Sequence, residues 1–145
     1  MKYWLEIIMI LLVDDDGYSL EFITDVFGQR GLSDRLKIFR DGEEVLDYLL
    51  SDVIGHGSRE LPKVIILDLR LPRVGGLEVL KRIRSSEKTK MIPVVVFTSS
   101  TDERDRAESY RLGANSFIVK PFEYEQFINT AVEIGHYWTA QNSPP

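Results

Sequence analysis

Three successive aspartates, Asp14-Asp15-Asp16, close an apolar run and stand before Gly17. Asp68 follows a second run, VIIL, and Thr98 closes a third, VVVF. Lys120-Pro121 follows a fourth, FIV. Taken singly, each has an ordinary explanation. An acid after an apolar run caps the next helix, a Thr at a strand end is a β-former, and a Lys before Pro is solvated. Three carboxylates, a hydroxyl and an amine at the ends of different runs are harder to read as independent accidents. Carboxylates brought close together repel, and one holds its proton unless a cation lies among them. A donor set of oxygens without Cys or His selects a hard cation, and Mg²⁺ with retained waters is the natural occupant. Mg²⁺ takes one or two carboxylates plus phosphate oxygens, leaving Lys120 and Thr98 to neutralise and hydrogen-bond the rest of a phosphoryl group.

The elements that must bring these residues together are legible as an alternation. The short runs Ile7–Val13, Leu36–Phe39, Val64–Leu67, Val94–Phe97 and Phe117–Val119 are rich in β-branched and aromatic residues and lack alternation, as strands buried on both faces do. Between them lie helical spacings: Leu20, Ile23, Val26 and Phe27; Val45, Tyr48 and Leu49; Leu77, Leu80 and Ile83; a polar stretch from Asp102 to Leu112; and Tyr124 through Trp138. Thr101-Asp102 offers an N-cap, and Gly31 and Gly113 stand where helices end. Arg40-Asp41-Gly42 reads as a turn. Five strand-then-helix units imply an α/β fold with a five-stranded parallel sheet covered by helices on both faces. Ligands of such a sheet bind beyond the carboxyl ends of the strands, where all the residues named above fall.

Composition narrows the class. The 145 residues are 43% hydrophobic and 28% charged, which suits one globular domain. A net charge of −5 with scattered basic residues, the densest being Lys81-Arg82-x-Arg84, argues against direct nucleic-acid binding. The absence of cysteine removes disulfides and thiolate ligands and agrees with a cytoplasmic location. The N-terminal MKYWLEIIMILLV is too short to span a bilayer, is interrupted by Glu6, and runs into aspartates where a cleavage site would need small residues. His56, in a glycine-flanked loop within Asp52–Pro62, and His136 have no neighbouring ligands in sequence and read as surface residues.

With these residues in view, the chain resembles the receiver domain of two-component response regulators. The matching pieces are Val13-Asp14-Asp15, Asp68-Leu-Arg-Leu-Pro72 with Gly75-Gly76, Val94–Thr98 followed by Ser99, and Gly113-Ala114 with Phe117-Ile-Val-Lys120-Pro121-Phe122. The resemblance implies a doubly wound, flavodoxin-like sheet of order 2-1-3-4-5 with five helices. It also implies that Asp68 is the phosphoacceptor, and that Asp14, Asp15, Asp68 and the Arg70 backbone carbonyl hold Mg²⁺. Thr98, Ser99, Lys120 and Phe117 are then the phosphate-binding and switch residues, and Pro121 a candidate for a cis peptide bond. The donor it implies is a sensor histidine kinase or a histidine phosphotransfer protein, with signalling through roughly residues 99–138. Two positions depart from the commonest pattern: Gly75-Gly76 replaces Asp-Gly, and Phe117 replaces Tyr.

The expected organisation is an N-terminal extension over 1–6, the receiver over 7–140 and a disordered tail over 141–145. That leaves no output domain after Trp138. The long segment before the third strand and Tyr137-Trp138 resemble the stand-alone regulators that pair with bacterial phytochromes. Aromatics ending a terminal helix can also anchor a homodimer. Two other readings compete. Asp14-x-Asp16-Gly17 is similar to the nucleophile motif of haloacid-dehalogenase-type phosphatases, with Asp16 as acid/base. Tyr18 stands where that family has Thr or Val, its downstream acidic pair is missing, and Asp68 is left without a role. The other is a receiver-shaped binding module that is never phosphorylated.

Overall fold

The computed structural model describes residues 10–51 and 61–145. Five strands, β1 (Ile10–Val13), β2 (Leu36–Phe39), β3 (Val64–Leu67), β4 (Val94–Thr98) and β5 (Ser116–Val119), alternate with five helices. These are α1 (Gly17–Gln29), α2 (Gly42–Leu50), α3 (Gly76–Ser85), α4 (Glu103–Arg111) and α5 (Tyr124–His136), and a π-helical turn, Tyr137–Gln141, continues α5. Residues 7–9 of the expected first strand, the loop up to residue 60 and His56 lie outside the described residues.

All strand pairs are parallel and the order is β2-β1-β3-β4-β5, as expected. β1, β3 and β4 are buried along their whole lengths, whereas the edge strands β2 and β5 are mostly half-buried. That is why the three inner strands carry unbroken apolar runs. The pleat divides those runs between two cores. Ile10, Leu12, Ile66, Val95 and Phe97 pack with Leu20, Ile23 and Phe27 of α1 and Phe127, Ala131 and Ile134 of α5. Leu11, Val13, Ile65, Leu67 and Val94 pack on the other face with Val45 and Leu49 of α2 and Val79, Leu80 and Ile83 of α3. α4 stands apart, with Ser109 as its one buried residue.

Short carboxylates start three of the helices. Asp16, Asp41 and Asp102 are N-caps that accept from the backbone N–H of Ser19, Glu43 and Arg104, satisfying donors that the first helical turn leaves unpaired. The Asp41 turn expected after β2 is therefore also a helix start. Gly31 (φ 76°) and Gly113 (φ 105°) take the left-handed conformation that ends a helix.

The loop between β3 and α3 is held tightly. A Cβ on Gly42 would fall 1.8 Å from the Val74 carbonyl oxygen, and one on Gly76 would fall 2.3 Å from that of Asp68. Neither position tolerates a side chain. Within this loop Arg73 has φ 68°, the only described non-glycine residue with positive φ, a conformation costing on the order of 1 kcal/mol.

Candidate functional site

The sheet order places β1 and β3 side by side at the point where the chain reverses direction across the sheet. Asp14 and Asp68, the residues that follow them, emerge as neighbours. Both are nearly buried, at 1% and 6% exposure. Lys120, arriving from the end of β5, puts its Nζ 2.9 Å from Asp14 Oδ2 and 3.1 Å from Asp68 Oδ2. Asp16 Oδ2 lies 4.0 Å from the same ammonium. The carboxylate Oδ1 atoms face the backbone. Asp14 Oδ1 accepts from Asp16 N–H at 2.8 Å, and Asp68 Oδ1 accepts from Leu69 N–H at 2.7 Å and Arg70 N–H at 3.4 Å.

The charges are unevenly matched, since two buried carboxylates share one ammonium. Burial pushes the Asp14 carboxyl up to about 6; the Lys120 charge opposes the rise and the Asp68 charge adds to it. Burial also works against the Lys120 ammonium, but the charges of Asp14 and then Asp68 outweigh it and raise its pKa. An all-oxygen, under-neutralised pair of this kind fits a further hard cation. Among the described residues no three His, Asp or Glu side chains are already gathered as a metal cluster, and the Lys120 ammonium lies between the pair.

The other expected residues are distributed around this centre. Asp15 is exposed beside Asp14, and Asp16 is engaged in capping α1, where Ser19 Oγ donates to it at 2.8 Å. Thr98 is fully buried at the end of β4, and its Oγ1 accepts from Ser100 N–H at 3.3 Å. Ser99 is exposed. Phe117 is half-buried on β5, and its N–H donates to Tyr110 Oη at 3.1 Å. The Arg70 side chain is exposed and reaches to 4.0 Å from Asp105. One expectation fails. Every peptide bond among the described residues is trans, Lys120–Pro121 included. The trans form of an X–Pro bond is lower by about 0.5–1 kcal/mol, and with it the chain already delivers Lys120 to both carboxylates.

Two participants escaped the sequence reading. Ser100 Oγ donates to Asp105 Oδ2 at 2.6 Å and accepts from Asp102 N–H at 3.2 Å. A capping box in which the N3 acid reaches the N-cap N–H is thus relayed through Ser100, the second residue after Thr98. The three-residue spacing of Asp102 and Asp105 was the available signal. The second is Arg73, whose Nε and Nη2 lie 2.9 Å from Asp41 Oδ2 and 3.0 Å from Glu43 Oε1. Nothing in the local spelling marks that pairing, because it joins a loop to the start of a helix distant in sequence.

Residues 10–132 match the model of the response regulator receiver domain. The chain belongs to that family. Among curated receivers it is 41% identical to the probable methanogenesis regulatory protein FilR2 of Methanothrix harundinacea, over 94% of this chain and 87% of that one. The receiver also superposes on two solved structures. One is the phosphorylated cyanobacterial phytochrome response regulator RcpA, with TM-score 0.86 and 32% identity over 96% of this chain and 99% of that one. The other is the Mn²⁺-bound form of response regulator Rcp1, with TM-score 0.83 and 30% identity over 94% of this chain and 98% of that one. Rcp1 is from Synechocystis sp., and by sequence it is 32% identical over 90% of this chain. This receiver therefore resembles a phytochrome response regulator, RcpA, across nearly the full length of both chains. Among its described residues no helix is long and apolar enough to cross a membrane.

Proposed function

We propose that this receiver accepts a phosphoryl group on Asp68 in the presence of Mg²⁺ and relays that event through β4, α4, β5 and α5. The observation that carries the reading is the Lys120 ammonium bridging Asp14 and Asp68 within 3.1 Å of each. A charge so placed lies against the proposed nucleophile, and it can follow the negative charge onto an incoming phosphoryl group. Asp14, Asp15, Asp68 and the Arg70 carbonyl would hold the Mg²⁺, which supplies charge neutralisation for phosphoryl oxygens. An Asp68 carboxylate oxygen forms the new P–O bond while the P–N bond of a phosphohistidine breaks, and the leaving imidazole takes up a proton. Thr98 then offers its hydroxyl to the bound phosphoryl group, and Ser99 and Phe117 respond beside it.

The chemistry resides in the domain's own labelling and unlabelling, not in turnover of an outside substrate. The receiver under this reading is cytoplasmic and its donor is a sensor histidine kinase or a histidine phosphotransfer protein, with a phytochrome-type sensor favoured by the likeness to RcpA. Tyr137, exposed at the end of α5 and stacked edge-on against Trp138, supports a homodimer as a second association. The reading is tested by incubating wild type, Asp68→Asn and Asp14→Asn with acetyl phosphate and Mg²⁺ and measuring intact mass. One added phosphoryl group is expected on wild type and none on Asp68→Asn. Labelling that survives Asp68→Asn and disappears in Asp14→Asn would instead make Asp14 the nucleophile.

A further inference from the structure

Arg73 combines two properties that do not arise by default. Its backbone is left-handed at φ 68°, where an L side chain is strained. Its side chain meanwhile forks onto two acids at the start of α2, the N-cap Asp41 at 2.9 Å and Glu43 of the first turn at 3.0 Å. Strain of this kind persists only where the surroundings over-determine it, and such positions cluster at functional sites. Here the surroundings do so from both sides. Asp41 is itself fixed, because its other carboxylate oxygen caps α2 through Glu43 N–H at 2.7 Å. Gly42 N–H donates to the Pro72 carbonyl at 3.3 Å, and Gly42 lies so close to the Val74 carbonyl that a Cβ there would collide. At the loop's other end Gly76 N–H donates to the Leu69 carbonyl at 2.9 Å, and Gly76 abuts the Asp68 carbonyl.

The segment so clamped begins at Asp68 and contains the Arg70 carbonyl. We propose that Arg73 is a positioning residue for the chemistry at Asp68. Its fork ties the loop carrying Asp68 and Arg70 to the start of α2, so that the loop's oxygens are preorganised for the cation. The inference rests on the reading of Asp68 as phosphoacceptor. It has a structural readout, however, that does not depend on phosphorylation.

Arg73→Gly separates positioning from stability, because glycine adopts positive φ freely while removing the fork. A second variant, Asp41→Asn combined with Glu43→Gln, removes both negative charges that the fork grips while leaving a cap at residue 41. In both, the Mg²⁺ concentration that half-saturates acetyl phosphate labelling is expected to rise about tenfold, with labelling at saturating Mg²⁺ close to wild type. Hydrogen exchange in the metal-free protein should quicken at the Val74 and Gly76 amides, and Arg73→Gly should melt no lower than wild type. Arg73→Lys, which brings charge without a fork, should fall between. Wild-type Mg²⁺ dependence with wild-type loop exchange in either variant would overturn the proposal. Failure of wild type itself to be labelled would overturn the Asp68 reading instead, and loop exchange would still decide the clamp.

Discussion

At the residue scale the telling feature is Asp14, a carboxyl whose burial lifts it to about 6 from an ordinary value of 3.8. Between those values the folded chain binds more protons than the unfolded one, so stability falls as pH rises through that window. The contribution lost is on the order of 3 kcal/mol. Asp14→Asn removes the burden of the buried charge. The metal-free variant is therefore expected to melt above wild type at pH 7.5, with the difference shrinking toward pH 4. A variant that melts no higher than wild type at pH 7.5 would contradict the charge balance described for the site. Cation binding has the opposite dependence, since the ligand must be ionised. The rise in Tm produced by Mg²⁺ should be large at pH 7.5 and fade as Asp14 is protonated below about pH 6. Equal Mg²⁺ shifts at pH 5 and pH 7.5, read by thermal unfolding, would exclude Asp14 as a ligand.

At the element scale the sheet and its helices divide into firmly and lightly held parts. Arg84, near the end of α3, donates to the carbonyls of Gly113, Lys90 and Ile92 and to Asn115 Oδ1. Asn115 Oδ1 in turn accepts from Val94 N–H at the start of β4. Gly113 must lack a side chain because a Cβ would fall 2.9 Å from Arg84 Nε. One guanidinium therefore ties α3, the approach to β4 and the α4–β5 turn together. Arg84→Ala strips four acceptors at once and should cost about 2–4 kcal/mol in denaturant unfolding. A loss below about 0.5 kcal/mol, the size of an ordinary surface change, would show that water replaces it freely. α4 is the lightly held part, kept by its Asp102 cap and by solvent-screened surface pairs such as Arg106–Glu103 and Arg111–Glu108. Its amides should exchange before those of α1, α2, α3 and α5. The inner strands, the Asp102 cap and the weakness of α4 were legible because they rest on local pattern: unbroken apolar runs, Asp before a helical stretch, a helix with almost nothing to bury. Asp41 read only as a turn, and its cap emerged with the structure. The Arg84 clamp and the Arg73 fork were not, because each joins segments through side-chain reach that no periodicity records. The isomer of Lys120–Pro121 was taken from resemblance, and geometry corrected it.

At the scale of the whole molecule the sheet is a partition. Phe27 lies in the α1–α5 core and Leu80 in the α2–α3 core, with no member shared between the two. Phe27→Ala and Leu80→Ala should each cost about 2–5 kcal/mol, and the double variant should lose their sum to within about 0.5 kcal/mol. A marked departure from that sum in urea unfolding would mean that the strands transmit strain between the layers. The same partition explains why the site was largely readable from sequence. Once five parallel strands are granted, Asp14, Asp68, Thr98 and Lys120 must share one edge, whatever fills either core. The sheet also ends in β5, a border strand that could template a foreign one. The Tyr110 hydroxyl already occupies the outward N–H of Phe117. A self-supplied phenol thus blunts the border against unwanted strand addition and amyloid-like stacking, and Tyr110→Phe would reopen one rung of that ladder.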